Sequence, residues 1–253
     1  MDQTALELAG YLIERLERTP SDARILVGLA GVPAGGKSTL AGLIVTHANK
    51  LLQQPQFLGE ESKAYGATAV AVGIDGWHLT RAQLDSLPDP QRAHKCRGSH
   101  WTFDALGYAS FVATLRAPLP PPKAASSESQ ESAKLPLPVL TAPAWDHSVK
   151  DPIKDGITVR PTDRIVILEG LYAFFTMEPW VQAGEVLNER WLIDVDPDEA
   201  TRRIILRHFK TGITQSIEEA TLRAEGFDRA TGRVVLGNSL QPTRRIRSIN
   251  FSP

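Results

Sequence analysis

The sequence predicts an α/β fold: a five-stranded, mainly parallel sheet with helices on both faces and a helical lid. Three observations predict it. Short apolar runs alternate with helical patterns, a glycine-rich turn joins the first run to the helix after it, and acidic residues close later runs. With 253 residues and 42% hydrophobic content, the chain suffices for a single domain with a substantial core.

The elements follow in order. Leu6, Ala9, Ile13 and Leu16 recur at helical spacing before Pro20, which predicts an N-terminal helix within 1–20. "RILVGLA" over 24–30 is short, apolar and β-branched, as a strand buried on both faces should be. A helix over 38–52 follows the glycine turn. Further strands are expected at 68–75, 164–170 and 190–196, with a short fifth at 233–237, "RVVLG". Helical patterns fall at 177–188, 198–211 and 216–224; those within 198–227 form the lid and the helix after it. Between 118 and 138, "PLPPPKAASSESQESAKLPLP" has too little to bury to offset its ordering entropy, and reads as a surface insertion. No internal repeat is visible.

Charge narrows the class of partner. Lys and Arg number 28 against 29 Asp and Glu, so no global positive field would hold nucleic acid or an anionic membrane. The single cysteine, Cys96, rules out an internal disulfide, and no run of 18 apolar residues occurs. A cytoplasmic protein, monomeric or homodimeric, is expected.

Gly31-Val32-Pro33-Ala34-Gly35-Gly36-Lys37-Ser38 satisfies G-x-x-x-x-G-K-[ST] between a predicted strand and a predicted helix. Glycines let such a loop curl with its N–H groups inward, and the helix start adds its positive dipole end. The loop predicts a P-loop NTPase three-layer fold that binds the tail of ATP. Lys37 would reach the β- and γ-phosphates, Ser38 would ligate Mg²⁺, and Thr39 would meet the α-phosphate. Chance matches at average residue frequencies arise in roughly one chain in a hundred of this length. The sequence lacks G-x-G-x-x-G, an N-K-x-D base reader and H-R-D, which disfavours dinucleotide-binding, small-GTPase and protein-kinase readings.

Ligands of parallel sheets bind beyond the carboxyl ends of the strands. The second predicted strand closes on Asp75-Gly76 and the third on Glu169-Gly170, so both carboxylates should face the loop. For phosphoryl transfer to an alcohol, Asp75 is the candidate base and Glu169 the candidate metal-side group. Asp196, before Pro197, is better read as a helix cap. Arg203 and Arg207, at i and i+4, share a helical face and could close over the triphosphate.

The stretches "GVPAGGKST", "VGIDGWHLT", "VILEGLYAF" and "WLIDVDPDEATRRIILRH" together resemble the phosphoribulokinase, uridine kinase and pantothenate kinase family of P-loop kinases. "RGSHWTFD", "APAWDHSVKDP" and "EPW" resemble a narrower branch, whose members are named as nucleoside, fructose or uridine-kinase-like proteins. The resemblance runs from about 24 to 237. It implies ATP:alcohol phosphotransfer, with Asp75 as base and Arg203 and Arg207 on a lid helix. One departure stands out: after Asp228, Thr231 and Gly232 occupy places where the branch commonly has Asn.

His78, Arg97, His100, Asp146 and His147 cluster in sequence beside Trp77, Trp101 and Trp145, a mixture suited to a sugar or nucleoside acceptor. His94, Cys96 and His100 supply only three local ligands, too few for a structural zinc. The arginines of "TRRIRS", 243–248, read as solvated tail, with adenine or phosphate contact as the rival. The expected activity is an ATP- and Mg²⁺-dependent small-molecule kinase with a small-molecule alcohol acceptor, pantothenate or glycerate being alternatives to a nucleoside or sugar. The competing class is a nucleotide-binding regulatory protein that has kept the loop without transfer.

Overall fold

The structure, a computed structural model, describes residues 1–54, 62–119, 139–146 and 148–248. Its first half comprises α1 (Asp2–Glu17), β1 (Ile25–Gly31), α2 (Lys37–Leu52), β2 (Thr68–Gly73), α3 (Arg81–Asp85), α4 (Pro90–Lys95) and α5 (Ala105–Leu115). There follow β3 (Leu140–Asp146), β4 (Asp151–Val159), β5 (Asp163–Glu169), α6 (Trp180–Glu185), β6 (Glu189–Asp194), α7 (Pro197–Lys210), α8 (Ile217–Arg223), α9 (Arg229–Gly237) and β7 (Arg244–Arg247).

Five strands form one sheet in the order β2-β5-β1-β6-β7, every neighbouring pair parallel. Alternation along β1 splits the core. Ile25, Val27 and Leu29 join the cluster under α1 and α2, while Leu26 and Ala30 join the cluster of Tyr108, Val112 and Trp180 on the other face. Both faces of β1 are thus covered, which is why its sequence is an unbroken apolar run. Leu12 and Leu16 of α1 are fully buried, each contributing about 1.5–3 kcal/mol by removal from water. A polar hub ties α1 to the sheet: Glu189 accepts from Tyr11, Arg15, Trp191 and Thr243. Burial opposes charge there, but those hydrogen bonds and the Arg15 guanidinium outweigh it and hold the carboxyl below its ordinary range.

Two expectations need correction. The segment 233–237 is the end of α9, not a strand: Val235 is buried while Val234 and Leu236 are exposed, a helical and not an extended pattern. The fifth strand is instead β7, inside the arginine-rich segment read as a solvated tail; only Ile246 points into the core there. A second sheet, the antiparallel pair β3–β4, was not expected. Of the 118–138 insertion, only Pro118 and Leu119 lie within the described residues, and Leu119 is buried. Among the described residues, no helix is long and apolar enough to cross a membrane.

Candidate active site

The loop after β1 carries two residues in the left-handed region, Ala34 at φ 57° and Gly36 at φ 93°. Gly36 is also the N-cap of α2, and no side chain caps that helix, so its first turn is left to an external acceptor. Lys37 folds back over the loop, its Nζ donating to the carbonyls of Gly31 at 3.1 Å and Val32 at 3.0 Å. Burial pushes its ammonium down to about 8, against the pull of Glu169 and Asp75, with Arg207 adding to the downward push.

Register places the two carboxylates together. Gly73 of β2 pairs with Glu169 of β5, and Asp75 sits two residues beyond, in a 3-10 turn over Ile74–Trp77. The expected strand over 68–75 therefore stops at Gly73, and the turn swings Asp75 outward: its side chain is 60% exposed. Glu169 is mostly enclosed, and burial raises its pKa, with Asp75 adding to the rise while Lys37, a Ser38 hydrogen bond and Arg207 lower it. The turn is backed by the β3–β4 hairpin, because a Cβ on Gly76 would stand 2.1 Å from the Pro143 carbonyl oxygen.

Lys37, Ser38, Asp75, Glu169 and Arg207 line one cavity of about 170 Å³. His78 and Arg97 form its floor. His78 Nδ1 donates to the Asp75 carbonyl at 2.8 Å, and its ring lies 3.9 Å from Phe103 and 4.8 Å from Trp145. Burial lowers its pKa, against the pull of Asp75. Arg97 donates to Leu79 O and Lys150 O, both at 2.8 Å, and pairs with Asp151 beneath the Trp145 ring.

Other expected residues lie elsewhere. Arg203 does not line this cavity: it pairs with Glu199 at 2.7 Å and donates to Ser248 at 3.0 Å, because its part of α7 faces β7. His100 packs among Tyr172 and Phe175. Asp146 closes the hairpin turn, accepting from the Ser148 backbone N–H at 2.7 Å. His147 falls outside the described residues. Trp77 is core, edge-on to Tyr108. Asp196 caps α7 through Asp198 N and Glu199 N, as its place before Pro197 predicts.

Sequence reasoning missed the roof. Between α8 and α9 the helix widens into a π turn over Ala224–Asp228, which brings Arg223, Phe227, Asp228 and Thr231 into the cavity. Such one-turn bulges recur at functional sites. Asp228 accepts from His208 Nε2 at 2.8 Å in the interior, and a Cβ on Gly98 would lie 3.9 Å from the Phe227 ring. Asp228 and Thr231, which the sequence singles out, were the visible signals. Val32 and Pro33 also wall a second, apolar cavity of about 250 Å³ against α7 and α9.

No family model matches the chain. It is 36% identical over 167 residues to the ATP-dependent kinase-like protein notR' of Aspergillus versicolor, covering 66% of this chain and 89% of that protein. A Schizosaccharomyces pombe protein named provisionally as uridine kinase C227.14 is 30% identical over 237 residues, 93% of this chain and 87% of that one. In sequence, the chain spans about half the length of the yeast ATP-dependent kinases YFH7, 49% for that of Zygosaccharomyces rouxii at 36% identity over 68% of this chain. The crystal structure of YFH7 from Saccharomyces cerevisiae shares the fold, with TM-score 0.74 at 23% identity over 98% of this chain and 99% of that one. The chain thus belongs to the family of P-loop kinases that includes the ATP-dependent kinases YFH7 and their uridine-kinase-like relatives.

Proposed function

We propose that the protein transfers the γ-phosphoryl group of ATP to a hydroxyl of a small polar acceptor of the nucleoside or sugar class. The observation that carries this reading is the meeting of Asp75, Glu169, Lys37 and Arg207 in one cavity at the end of the sheet. Asp75, exposed into that cavity, takes the proton of the acceptor hydroxyl as its oxygen bonds to the γ-phosphorus and the bridging oxygen leaves with ADP. Lys37 leaves the carbonyls of Gly31 and Val32 for the phosphate tail. Arg207 stabilises charge spread over the transferring group. His78, hydrogen-bonded to the Asp75 backbone, steadies the turn that carries the base.

The donor set fits Mg²⁺: the Ser38 hydroxyl and the Glu169 carboxylate line the same cavity, giving hard oxygen donors beside the loop. Ser38, and Glu169 directly or through water, would hold the ion, which neutralises charge on the β- and γ-oxygens when bound. A reducing cytoplasmic setting suits the lone free thiol, Cys96. ADP release measured over a panel of alcohols tests the reading. Acceptor-dependent release is the expected result; release at the full rate with water alone refutes it.

A further inference from the structure

The sheet ends on β7, and that edge is open. β7 pairs with β6 alone, so among the described residues no strand meets the polar backbone groups on its outer side. A cavity of about 280 Å³ runs along it, walled by Thr4, Glu7 and Leu8 of α1 and by all four residues of β7. It shares no residue with the cavity of Lys37 and Asp75.

Alternation gives this edge two chemistries. Ile246 joins the core under α1, and Arg244 spreads over the rings of Tyr11 at 4.5 Å and Trp191 at 5.9 Å. Arg245 and Arg247, on the opposite side of the pleat, are exposed, and neither side chain has an ion pair or hydrogen bond among the described residues. The carboxylates nearest them are mostly engaged elsewhere. Glu199 is paired with Arg202 and Arg203, and Asp196 caps α7, which leaves Asp194 against two guanidinium groups.

Charge on an edge strand serves in many proteins only to keep strands from joining. Here its sign chooses the partner: arginine facing arginine repels a second copy of β7, whereas carboxylates opposite Arg245 and Arg247 attract. We infer that β7 is the docking edge for an extended acidic segment of a partner protein, which adds as a strand in the groove beside α1. Its backbone pairs with the open edge, alternate carboxylates meet Arg245 and Arg247, and the apolar residues between them lie toward the α1 wall. This interaction is separate from the kinase reading and does not depend on it.

Fluorescence anisotropy of labelled peptides titrated with the full chain tests it. A Glu-Val-Glu-Val-Glu-Val peptide should bind about tenfold tighter, or more, than its Lys-Val counterpart, and the double variant Arg245→Glu, Arg247→Glu should invert that preference. Strand addition uses one alternate set of backbone N–H groups, so N-methylation of that set should cost about tenfold or more while N-methylation of the other set costs little. Saturating ADP and Mg²⁺ should leave the affinity within about twofold, because the groove and the phosphate cavity are separate. No preference for the acidic peptide, indifference to both N-methylated forms, or displacement by ADP overturns the inference. These three arms use the wild-type chain and stand even if the double variant fails to fold.

Discussion

His208 Nε2 and Asp228 Oδ2 meet at 2.8 Å inside the protein, joining the last turns of α7 to the π turn that roofs the cavity. The two residues are 20 apart in sequence, so the bond closes the lid into a loop of its own. Replacing His208 with Ala leaves a buried carboxylate without its donor, at about 3 kcal/mol. We predict at least tenfold faster amide hydrogen exchange across 197–228, with α2 unaffected and partial recovery in His208→Gln. Unchanged protection in the lid would show that the bond does not hold it.

Asp75→Asn keeps the size of the side chain and removes its basicity. The expected result is a fall in kcat of about 10²–10⁴ with ATP affinity within about twofold, the pattern of a group needed only for proton removal. Single-turnover transfer and equilibrium ATP binding check it. A loss confined to ATP affinity would move Asp75 out of the base role.

Lys37 gives a pH signature. Free, its ammonium titrates near 8, below its ordinary 10.5, because burial disfavours the charge. A bound triphosphate favours that charge and raises the pKa again. ATP binding should therefore take up a proton between about pH 8 and the higher bound value, and affinity should weaken as pH rises past 8. Calorimetry in buffers of different ionisation enthalpy measures the uptake; Lys37→Met should abolish it.

Gly76→Ala should disturb the base without touching it. The added methyl would meet the Pro143 carbonyl, which is backbone and cannot rotate aside. We expect a stability loss of about 1–3 kcal/mol, the range of an overpacked site, with a fall in kcat as the turn shifts. Denaturant unfolding and ADP release give the two numbers; wild-type stability would mean that the hairpin yields.

Glu189 predicts acid behaviour. Its folded pKa lies below the ordinary value, so its stabilising contribution is present above about 4.5 and is lost as pH falls through the folded pKa. Glu189→Gln should lower stability near neutrality and flatten the acid limb of the stability profile. Thermal unfolding from pH 3 to 7 follows it, and parallel curves for the two proteins would refute the assignment.

The glycine loop after β1 and the meeting of Asp75 and Glu169 beside it were legible because each depends on local pattern: a glycine spacing, an apolar run, an acid at or just beyond where the run stops. β7 was not legible. An edge strand with one buried side chain, Ile246, looks like an arginine tail until β6 is beside it. "RVVLG" misled in the opposite sense, since a short apolar run does not by itself tell a strand from a helix end. The β3–β4 hairpin hid behind Pro143 and a register shift between Ala142 and Ala144. Arg203 and Arg207 share a helical stripe, but β7 captured one and the cavity the other, a division that only tertiary contacts decide.

One stretch of helix touches both ends of the cavity: Phe227 lies over Gly98, and at Gly232 an added Cβ would meet Val32 at 3.2 Å. On the kinase reading proposed above, an acceptor that displaces the ring from the floor should also press on the seam beside Val32, and linkage requires any such influence to be mutual: if the acceptor tightens the hold on nucleotide by some factor, nucleotide tightens the hold on acceptor by the same factor.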